Sequence, residues 1–472
     1  MTEGVLIVER EKLGSRLGFI LLSAGCAIGV GNVWRFPYMV GQSGGGAFLP
    51  LYFFFLIIMG LPIMVMEFSV GRASRKSIAC MYDELTPKKA WKVHSYAALA
   101  GNVILMMFYT TVCGWMLNYF VSTATGKFEN MDVAAVSSSF GDLLGDPVTM
   151  IIYMGIAVVV GFFVCSFSLQ KGLERITKYM MLALLAIMVI LAINGFTQEG
   201  AATGLEFYLK PDLSKITGEV IVNAMNQAFF TLSLGIGSMA IFGSYIGKER
   251  SLLGESVNVV VLDTFVAFVS GLIIFPACFT YGVAPSEGSG LVFVTLPNVF
   301  NNMAGGRIWG TLFFLFMTFA AFTTVLAVFE NIISCIRDIT GWGRGKTCIV
   351  CGVGIFVLSL PCVLGFNLLS EFKPLGDGTV IMDLEDFIVS NCLLPLGSLT
   401  ILLFCTRKMG WGWNNFVEEA NTGSGLKVKN WMRGYITYVL PIIIFALFVL
   451  GLIMKFVPEA TLREVFPWFY AA

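Results

Sequence analysis

Five oxygen-bearing side chains lie in stretches of this sequence that are otherwise apolar. They are Asn32, Thr231, Asp263, Thr323 and Thr324. Polar groups in such stretches are energetically costly, so each is a candidate functional residue. Amide, hydroxyl and carboxylate oxygens are hard ligands that suit an alkali cation better than a transition metal. A threonine inside a helix usually bonds back to the preceding turn, but two interrupted helices nearby favour ion binding instead.

Those interruptions fall in two of the apolar stretches. Residues 25–37 include three glycines and a proline, and residues 230–238 contain two glycines. Glycine weakens a helix, and proline removes a backbone donor. In hydrocarbon, backbone that leaves a helix survives only where it is buried in protein or lines a cavity. The freed carbonyls and amides are therefore available to a ligand, and two such breaks in corresponding halves indicate a transporter site.

The composition predicts a polytopic membrane protein. The 472 residues are 57% hydrophobic and only 13% charged, far from the values of soluble domains. Apolar runs long enough to cross a bilayer recur along the chain. They predict eleven spans at 13–38, 47–70, 94–121, 148–169, 173–195, 217–246, 257–282, 307–338, 346–369, 381–405 and 434–456.

The two breaks fall in the first and sixth predicted spans. This spacing predicts an all-α fold in which five helices are followed by five more of inverted topology. The predicted transporter core covers residues 1–405, with the two repeats at 13–195 and 217–405. Residues 406–472 are then a cytoplasmic loop and an appended eleventh helix.

The distribution of basic residues predicts the orientation. Most of the 30 Lys and Arg residues fall in segments that are cytoplasmic if the N-terminus is inside. Eleven spans then place the C-terminus outside. The polar stretch before the first span carries no cleavable signal, so we expect that span to be kept. With a net charge of zero and no basic cluster, the sequence offers nothing for nucleic acid.

Other reactive side chains favour structural interpretations. The eleven cysteines lie mostly in apolar runs, so we expect free thiols, including the Cys348/Cys351 pair. The one histidine, His94, lies at a polar boundary, where packing or solvation is expected. Glu67 either pairs with freed amides at a break or reaches the interface beside Arg72. A nucleophile elbow, phosphate loop and metal set are all lacking, so an enzyme is the least favoured class.

Two charge pairs are candidate gates. Arg35 and Asp386 both fall near outer ends of their spans, where an ion pair would close an outer vestibule. Arg10 and Asp338 form the corresponding inner pair. For arbitrary charges, solvated surface positions would be the ordinary interpretation.

Three motifs resemble one family, the neurotransmitter:sodium symporters. Residues 25–37 followed by 44–48 are similar to the first-helix signature of that family, and residues 67–72 and 227–235 match two others. The resemblance runs from about Arg10 to the end of the tenth span, and the eleven-span bacterial branch is the most similar. The resemblance implies that Arg35–Asp386 is the outer gate and Arg10–Asp338 the inner gate, with Tyr245 as a partner in the inner gate.

The resemblance implies two bound sodium ions. The first would be held by the Ala27 carbonyl, Asn32, Thr231 and Asp263, together with the substrate carboxylate. The second would be held by five oxygens, from the carbonyls of Gly25, Ile28 and Ala320 and the hydroxyls of Thr323 and Thr324.

The resemblance also implies an amino acid substrate. Its carboxylate would meet the amides of Val30 and Gly31 and the hydroxyl of Tyr109. Its ammonium would meet carbonyls of Ala27, Phe230, Thr231 and Ser233. Its side chain would lie among Leu105, Phe230, Ile236, Thr324 and Val328. Helix N-termini attract the anion and C-terminal carbonyls attract the cation.

Single positions narrow the class of substrate and the ion dependence that the resemblance implies. Amine carriers of the family have an aspartate at the position of Gly29, so glycine implies a substrate that brings its own carboxylate. Ile236 stands where some relatives have phenylalanine, which leaves space for an aromatic side chain. Ala267 replaces the serine of chloride-dependent members, and Asp263 one turn earlier supplies a fixed charge. These positions imply chloride-independent transport, with proton counter-transport if Asp263 is protonated on return.

The sequence therefore predicts a sodium-coupled importer of hydrophobic or aromatic L-amino acids in a bacterial plasma membrane, working by alternating access. The alternatives are a proton-coupled carrier of the same fold and a sodium-dependent sensor or channel. The sequence differs from the family at two positions. Leu13 replaces a tryptophan of the relatives, and Leu182 replaces a proline that many of them have.

Overall fold

The structure is a computed structural model that describes residues 11–129, 131–282 and 290–470. These residues form helices joined by turns and loops. In chain order the main helices are α1 (Arg16–Ala27), α2 (Gly31–Gln42), α3 (Phe48–Ser74), α4 (Lys89–Ala124), α5 (Pro147–Ser166), α6 (Gln170–Phe196), α7 (Gly218–Thr231), α8 (Ser238–Tyr245), α9 (Leu252–Thr280), α10 (Gly306–Thr340), α11 (Arg344–Leu364), α12 (Ile381–Thr406) and α13 (Met432–Phe456). Shorter helices cover Met81–Leu85, Val133–Gly145, Ala201–Leu209, Leu296–Asn302, Trp413–Asn421, Glu459–Val465 and Pro467–Tyr470.

Helix length and composition agree with the predicted spans. In the described part of the chain, nine helices are long and apolar enough to cross a membrane, and the α1/α2 pair, bent by 57°, makes a tenth. Helices α7 and α8 occupy the predicted sixth span, and each is too short to cross alone. The all-α membrane fold is confirmed. The count of eleven and the inverted repeat remain predictions.

The ends of the spans follow ordinary capping chemistry. Ser15 caps α1 by accepting a hydrogen bond from the backbone N–H of Gly18. Asp146 caps α5 by accepting from the backbone N–H groups of Val148 and Thr149. The hydroxyl and amide of Thr149 hold the pKa of Asp146 below its ordinary value. Pro147 follows at the first helical position, where its missing N–H costs nothing.

Helix α10 is the centre of the bundle. It packs along α4 and also contacts α1, α5 and α6. The most apolar 18-residue stretch of α10 is 78% buried, compared with 33% for the corresponding stretches of α6 and α11. The exposed apolar faces of α6 and α11 are therefore the surfaces available to lipid, whereas α10 positions side chains inside the protein.

The helix Trp413–Asn421, which follows α12, is anchored on α3. Arg72, fully buried near the end of α3, pairs with Glu419 at 2.5 Å and also donates to the backbone carbonyl of Arg250 at 2.8 Å. Lys248 approaches the other carboxylate oxygen of Glu419 at 3.3 Å. The segment predicted as a loop after the tenth span thus contains a helix that covers one end of the bundle.

Candidate ion and substrate site

The first helix break lies between α1 and α2. The backbone leaves the helix at Ile28, with φ −71° and ψ 100°. Beyond it the N–H of Val30 donates to the hydroxyl of Tyr109 on α4 at 3.0 Å. A Cβ atom at Gly29 would lie 2.4 Å from the Tyr109 hydroxyl oxygen and 2.6 Å from Oγ1 of Thr324. This position therefore requires glycine because two hydroxyls occupy the space of a side chain.

The second break separates α7 from α8. Ser233, Gly235 and Gly237 adopt positive φ angles of 50°, 98° and 76°, and left-handed residues cannot continue a right-handed helix. Glu67 on α3 accepts hydrogen bonds from the N–H groups of Gly235 at 2.5 Å and Met239 at 3.2 Å. Of the two interpretations of Glu67, pairing with freed amides is the one observed.

The carbonyl group of Gly235 contacts the single histidine of the chain. Nε2 of His94 lies 2.9 Å from the carbonyl oxygen of Gly235, and its Nδ1 lies 2.6 Å from the hydroxyl of Tyr82. His94 is buried, so packing rather than solvation describes it. Sequence reasoning left both interpretations of Glu67 open, and it found no contact between His94 and the break, because Gly235 is 141 residues away.

Three side chains meet between the breaks. Nδ2 of Asn32 donates to Oδ1 of Asp263 at 2.8 Å and to Oγ1 of Thr231 at 3.1 Å. The Thr231 hydroxyl donates to Oδ2 of Asp263 at 3.1 Å. All three residues are at most 1% exposed. The structure thus brings together these three predicted ion-site side chains, from α2, α7 and α9.

This cluster has the chemistry of a cation site. A buried carboxylate is stabilised by a bound cation or by a proton, and in the described ranges Asp263 forms no ion pair with Lys, Arg or His. The surrounding groups are amide, hydroxyl and carbonyl oxygens, which are hard ligands. A monovalent cation would neutralise Asp263 without displacing a protein cation.

A second oxygen cluster surrounds the two threonines of α10. Oγ1 of Thr324 lies 3.3 Å from the carbonyl oxygens of both Gly25 and Ile28, and 3.5 Å from that of Ala320. The hydroxyl of Thr323 bonds back to the preceding turn of its own helix, 3.0 Å from the carbonyl oxygen of Phe319 and 3.1 Å from that of Ala320. One hydroxyl hydrogen cannot satisfy several carbonyls at such long distances. Thr324 and the carbonyls of Gly25, Ile28 and Ala320 therefore form an oxygen-rich cluster, with Thr323 beside it.

A cavity of about 30 Å³ adjoins both breaks and the Asn32 cluster. It is lined by most of the predicted contact residues, namely Ala27, Gly31, Leu105, Tyr109, Phe230, Thr231, Ser233, Ile236 and Thr324. Val30 lines a neighbouring cavity instead, and Val328 is fully buried outside the lining. The lining carries no charged side chain.

Sequence reasoning missed two lining residues on α12. Val389 and Leu394 close one side of the cavity. Both lie in a part of α12 without glycine, so no local break marks them. The available signal was helical spacing, because Val389 follows the predicted gate residue Asp386 by three positions and shares its face.

A larger cavity of about 430 Å³ lies next to the first and contains one predicted gate. Arg35 and Asp386 both line it, but no ion pair within 4.0 Å joins them in the described structure. The Arg35 guanidinium lies over the ring of Phe230, 4.0 Å from its centre. Phe230 lines both cavities, so its ring lies between them.

The other predicted gate is described in part. Arg10 lies outside the described residues. Oδ2 of Asp338 accepts from the N–H of Ser77 at 2.7 Å. The Tyr245 hydroxyl donates to Glu330, fully buried on α10, at 2.7 Å. Glu330 also pairs with Arg344 at 2.5 Å, a pair that sequence reasoning missed.

The fold and this site define a class, the multi-pass membrane transporters with interrupted helices. The chain belongs to the sodium:neurotransmitter symporter family, whose model matches residues 10–135 and 122–472. It is therefore a sodium-dependent transporter and not an enzyme.

Individual relatives agree with this assignment. The chain is 33% identical to the sodium-dependent transporter YhdH of Bacillus subtilis, over 87% of this chain and 90% of the relative. It is also 33% identical to a sodium-dependent transporter of Haemophilus influenzae, over 94% and 98% of the two chains. The crystal structure of MhsT in complex with L-phenylalanine matches with a TM-score of 0.85 and 35% identity, covering 94% of this chain and all of that one.

Proposed function

We propose that this protein is a symporter that uses a sodium gradient to import hydrophobic or aromatic L-amino acids. The observation that carries the proposal is the position of Asp263, a buried carboxylate without a cationic partner in the described structure, beside an apolar cavity at two helix breaks. A bound sodium ion and a bound substrate carboxylate would meet at that point. Each then favours binding of the other, which couples the two gradients.

The first proposed sodium ion is held by Asn32, Thr231, Asp263 and the carbonyl of Ala27. In support, the three side chains form one hydrogen-bonded cluster, and Ala27 lines the adjoining cavity. The amide of Asn32 would turn its oxygen toward the ion. This movement exchanges the hydrogen bonds that Nδ2 donates to Thr231 and Asp263 for one ion contact.

The second proposed ion lies among the carbonyls of Gly25, Ile28 and Ala320 and the hydroxyls of Thr323 and Thr324. The long distances around Thr324 support it, because a cation at the centre would contact oxygens that one hydroxyl hydrogen cannot serve. This ion would tie α1 to α10 without touching the substrate. It would therefore set the conformation and leave substrate chemistry to the first ion.

The proposed substrate is an α-amino acid with an apolar side chain. Gly29 leaves no room for a side-chain carboxylate, so the substrate supplies its own. That carboxylate would meet the start of α2 and Tyr109, and the ammonium would meet the carbonyls that end α7. Leu105, Ile236 and the ring of Phe230 offer an apolar surface to its side chain, and the phenylalanine bound by MhsT at 35% identity supports this choice.

We propose that transport is independent of chloride. Ala267 is fully buried on α9, one turn after Asp263, and its methyl group offers no donor to an anion. The carboxylate of Asp263 supplies a fixed negative charge in that region instead. Replacing chloride by gluconate should leave uptake unchanged, and a chloride requirement would contradict this part of the proposal.

The proposed cycle is alternating access between two inverted halves, in a bacterial plasma membrane with the N-terminus cytoplasmic and the C-terminus outside. The charge distribution along the sequence supports this orientation. The cavity that contains Arg35 and Asp386 is then the outer vestibule, and approach of these two residues would close it. Arg10, Asp338 and Tyr245 would form the inner gate.

The test is uptake of radiolabelled leucine and phenylalanine into proteoliposomes with an inward sodium gradient, compared with potassium and proton gradients. Accumulation should require sodium, and both Asn32→Ala and Thr323→Ala should abolish it. The exposed Asn415→Ala is the matched control and should transport normally. Accumulation with a proton gradient alone would indicate a proton-coupled carrier, and binding without accumulation under any gradient would indicate a sensor.

A further inference from the structure

Glu385 is a buried acid that the proposed cycle does not use. It lies in the first turn and a half of α12, one residue before Asp386, and is only 4% exposed. Neither of its carboxyl oxygens accepts a hydrogen bond from a nitrogen or hydroxyl donor, and the thiol of Cys362 is the polar group beside it. Its two acidic neighbours differ, because Asp383 accepts from the N–H of Val380 and Asp386 accepts from the hydroxyl of Ser390.

The surroundings of Glu385 offer no compensation for a negative charge. This end of α12 packs against α4 and α11. The polar groups facing Glu385 from these helices are the thiol of Cys362 on α11 and, beyond it, the hydroxyl of Thr111 on α4. The other titratable groups nearby are Asp383 and Asp386 on its own helix, both acidic. Within the described ranges no Lys, Arg or His pairs with Glu385.

An ionised carboxylate in this position would be costly. Burying a carboxylate without a cationic partner costs free energy that binding a proton avoids, so this environment favours the protonated form. A neutral acid also requires only one acceptor and can tolerate the weak thiol donor beside it. The packing of α12 on α4 and α11 therefore favours the protonated form of Glu385 over the ionised one.

We propose that Glu385 is a proton-binding site, distinct from the sodium and substrate sites and loaded from the outer side of the membrane. The proton binds to the carboxylate when α12 packs against α4 and α11, and it returns to water when movement of this end of α12 wets Glu385. Because the proton binds one conformation better than the other, external acid stabilises the packed conformation and external base opens it. The outward direction rests on the proposed orientation, whereas proton binding itself does not.

The first test measures thermal unfolding of the purified full-length protein between about pH 4.5 and about pH 8, a range that begins near the ordinary pKa of a glutamate. A carboxyl group that binds a proton more tightly in the folded protein than in the unfolded chain contributes stability that is lost as the pH rises. The stability of Glu385→Gln relative to the wild type should therefore increase with pH, since glutamine keeps the shape of the neutral acid. Glu371→Gln, at an exposed position, is the matched control and should follow the wild type.

The second test measures uptake at fixed internal pH while the external pH is varied. Wild-type uptake should change about threefold over the range in which Glu385 titrates, and Glu385→Gln should give a flat profile. If Glu385→Gln fails to fold, the infrared carboxylic-acid band of the wild type, followed with pH, replaces both readouts. The proposal would be overturned if stability and uptake depended on pH in the same way in the wild type and in Glu385→Gln. In the infrared measurement, a carboxylate band that persists at low pH would overturn it. Because unfolding needs no transport, its outcome is separate from that of the symporter proposal.

Discussion

Nε2 of His94 lies 2.9 Å from the carbonyl oxygen of Gly235, while the N–H of the same glycine donates to Glu67. One residue in the second helix break is thus held from both sides, by α3 through its amide and by α4 through its carbonyl. The Tyr82 hydroxyl at 2.6 Å from Nδ1 fixes the imidazole in turn. These two hydrogen bonds hold the peptide groups on either side of the Gly235 Cα atom. The break therefore has a defined shape.

His94→Leu should weaken substrate binding, because the buried Gly235 carbonyl loses its donor. Loss of such a bond costs about 1–2 kcal/mol, which is roughly a 5- to 30-fold loss of affinity. His94→Gln, whose Nε2 can still donate, should restore most of it. Equilibrium binding of radiolabelled substrate to purified protein measures this effect. Equal losses in both variants would show that ring volume, and not the hydrogen bond, matters.

Asp263→Ala should weaken sodium binding more than substrate binding at saturating sodium. The variant removes the only charged group of the cluster with Asn32 and Thr231. The sodium concentration for half-maximal substrate binding should rise on the order of tenfold or more, which equals about 1.4 kcal/mol. Asp377→Ala, at a position 99% exposed, is the control and should be neutral. An unchanged sodium dependence would remove Asp263 from the proposed site.

Gly29→Ala should abolish substrate binding while the protein still folds. The added methyl group would lie 2.4 Å from the Tyr109 hydroxyl oxygen and force Tyr109 or Thr324 to move. Gly354→Ala on α11, where a Cβ would meet nothing within 4 Å, should bind normally and gain about 0.5–1 kcal/mol of stability. Size-exclusion profiles establish folding, and substrate binding gives the readout. Wild-type affinity in Gly29→Ala would mean that the site is wider than described.

Arg72→Met should destabilise the protein, because it leaves Glu419 without its buried partner. Removing one partner of a buried ion pair costs about 3–5 kcal/mol. The melting temperature in detergent should fall clearly, and Arg72→Met combined with Glu419→Leu should recover part of the loss. Lys210→Met, in an exposed pair with Glu206, should change the melting temperature little. A full loss in the double variant would assign the effect to the carbonyl contacts of Arg72 instead.

The sequence predicts most of the fold because every span needs an apolar run long enough to cross the bilayer, and such runs are visible in the sequence. It also locates both breaks, since several glycines fall close together in each stretch, at positions 25, 29 and 31 and at 235 and 237, and glycine weakens a helix. Long-range partners are different. Glu67 and Gly235 are 168 residues apart, and local composition carries no information about their contact. The lining role of Val389 and the burial of Glu385 are likewise set by how α12 packs, which an intact helical pattern does not specify.

The packing of Gly397 against the second break restricts how α12 can move. A Cβ at Gly397 would lie 2.0 Å from the carbonyl oxygen of Gly235, so the two backbones touch there. Sliding α12 along its axis would drive a neighbouring side chain into that carbonyl, whereas tilting keeps the glycine in place. In such a tilt, the contact between Gly397 and Gly235 would be the pivot. Asp386 lies roughly 16 Å along the helix from it, so a tilt of 10° would displace this carboxylate by roughly 3 Å, enough to open or close an ion pair.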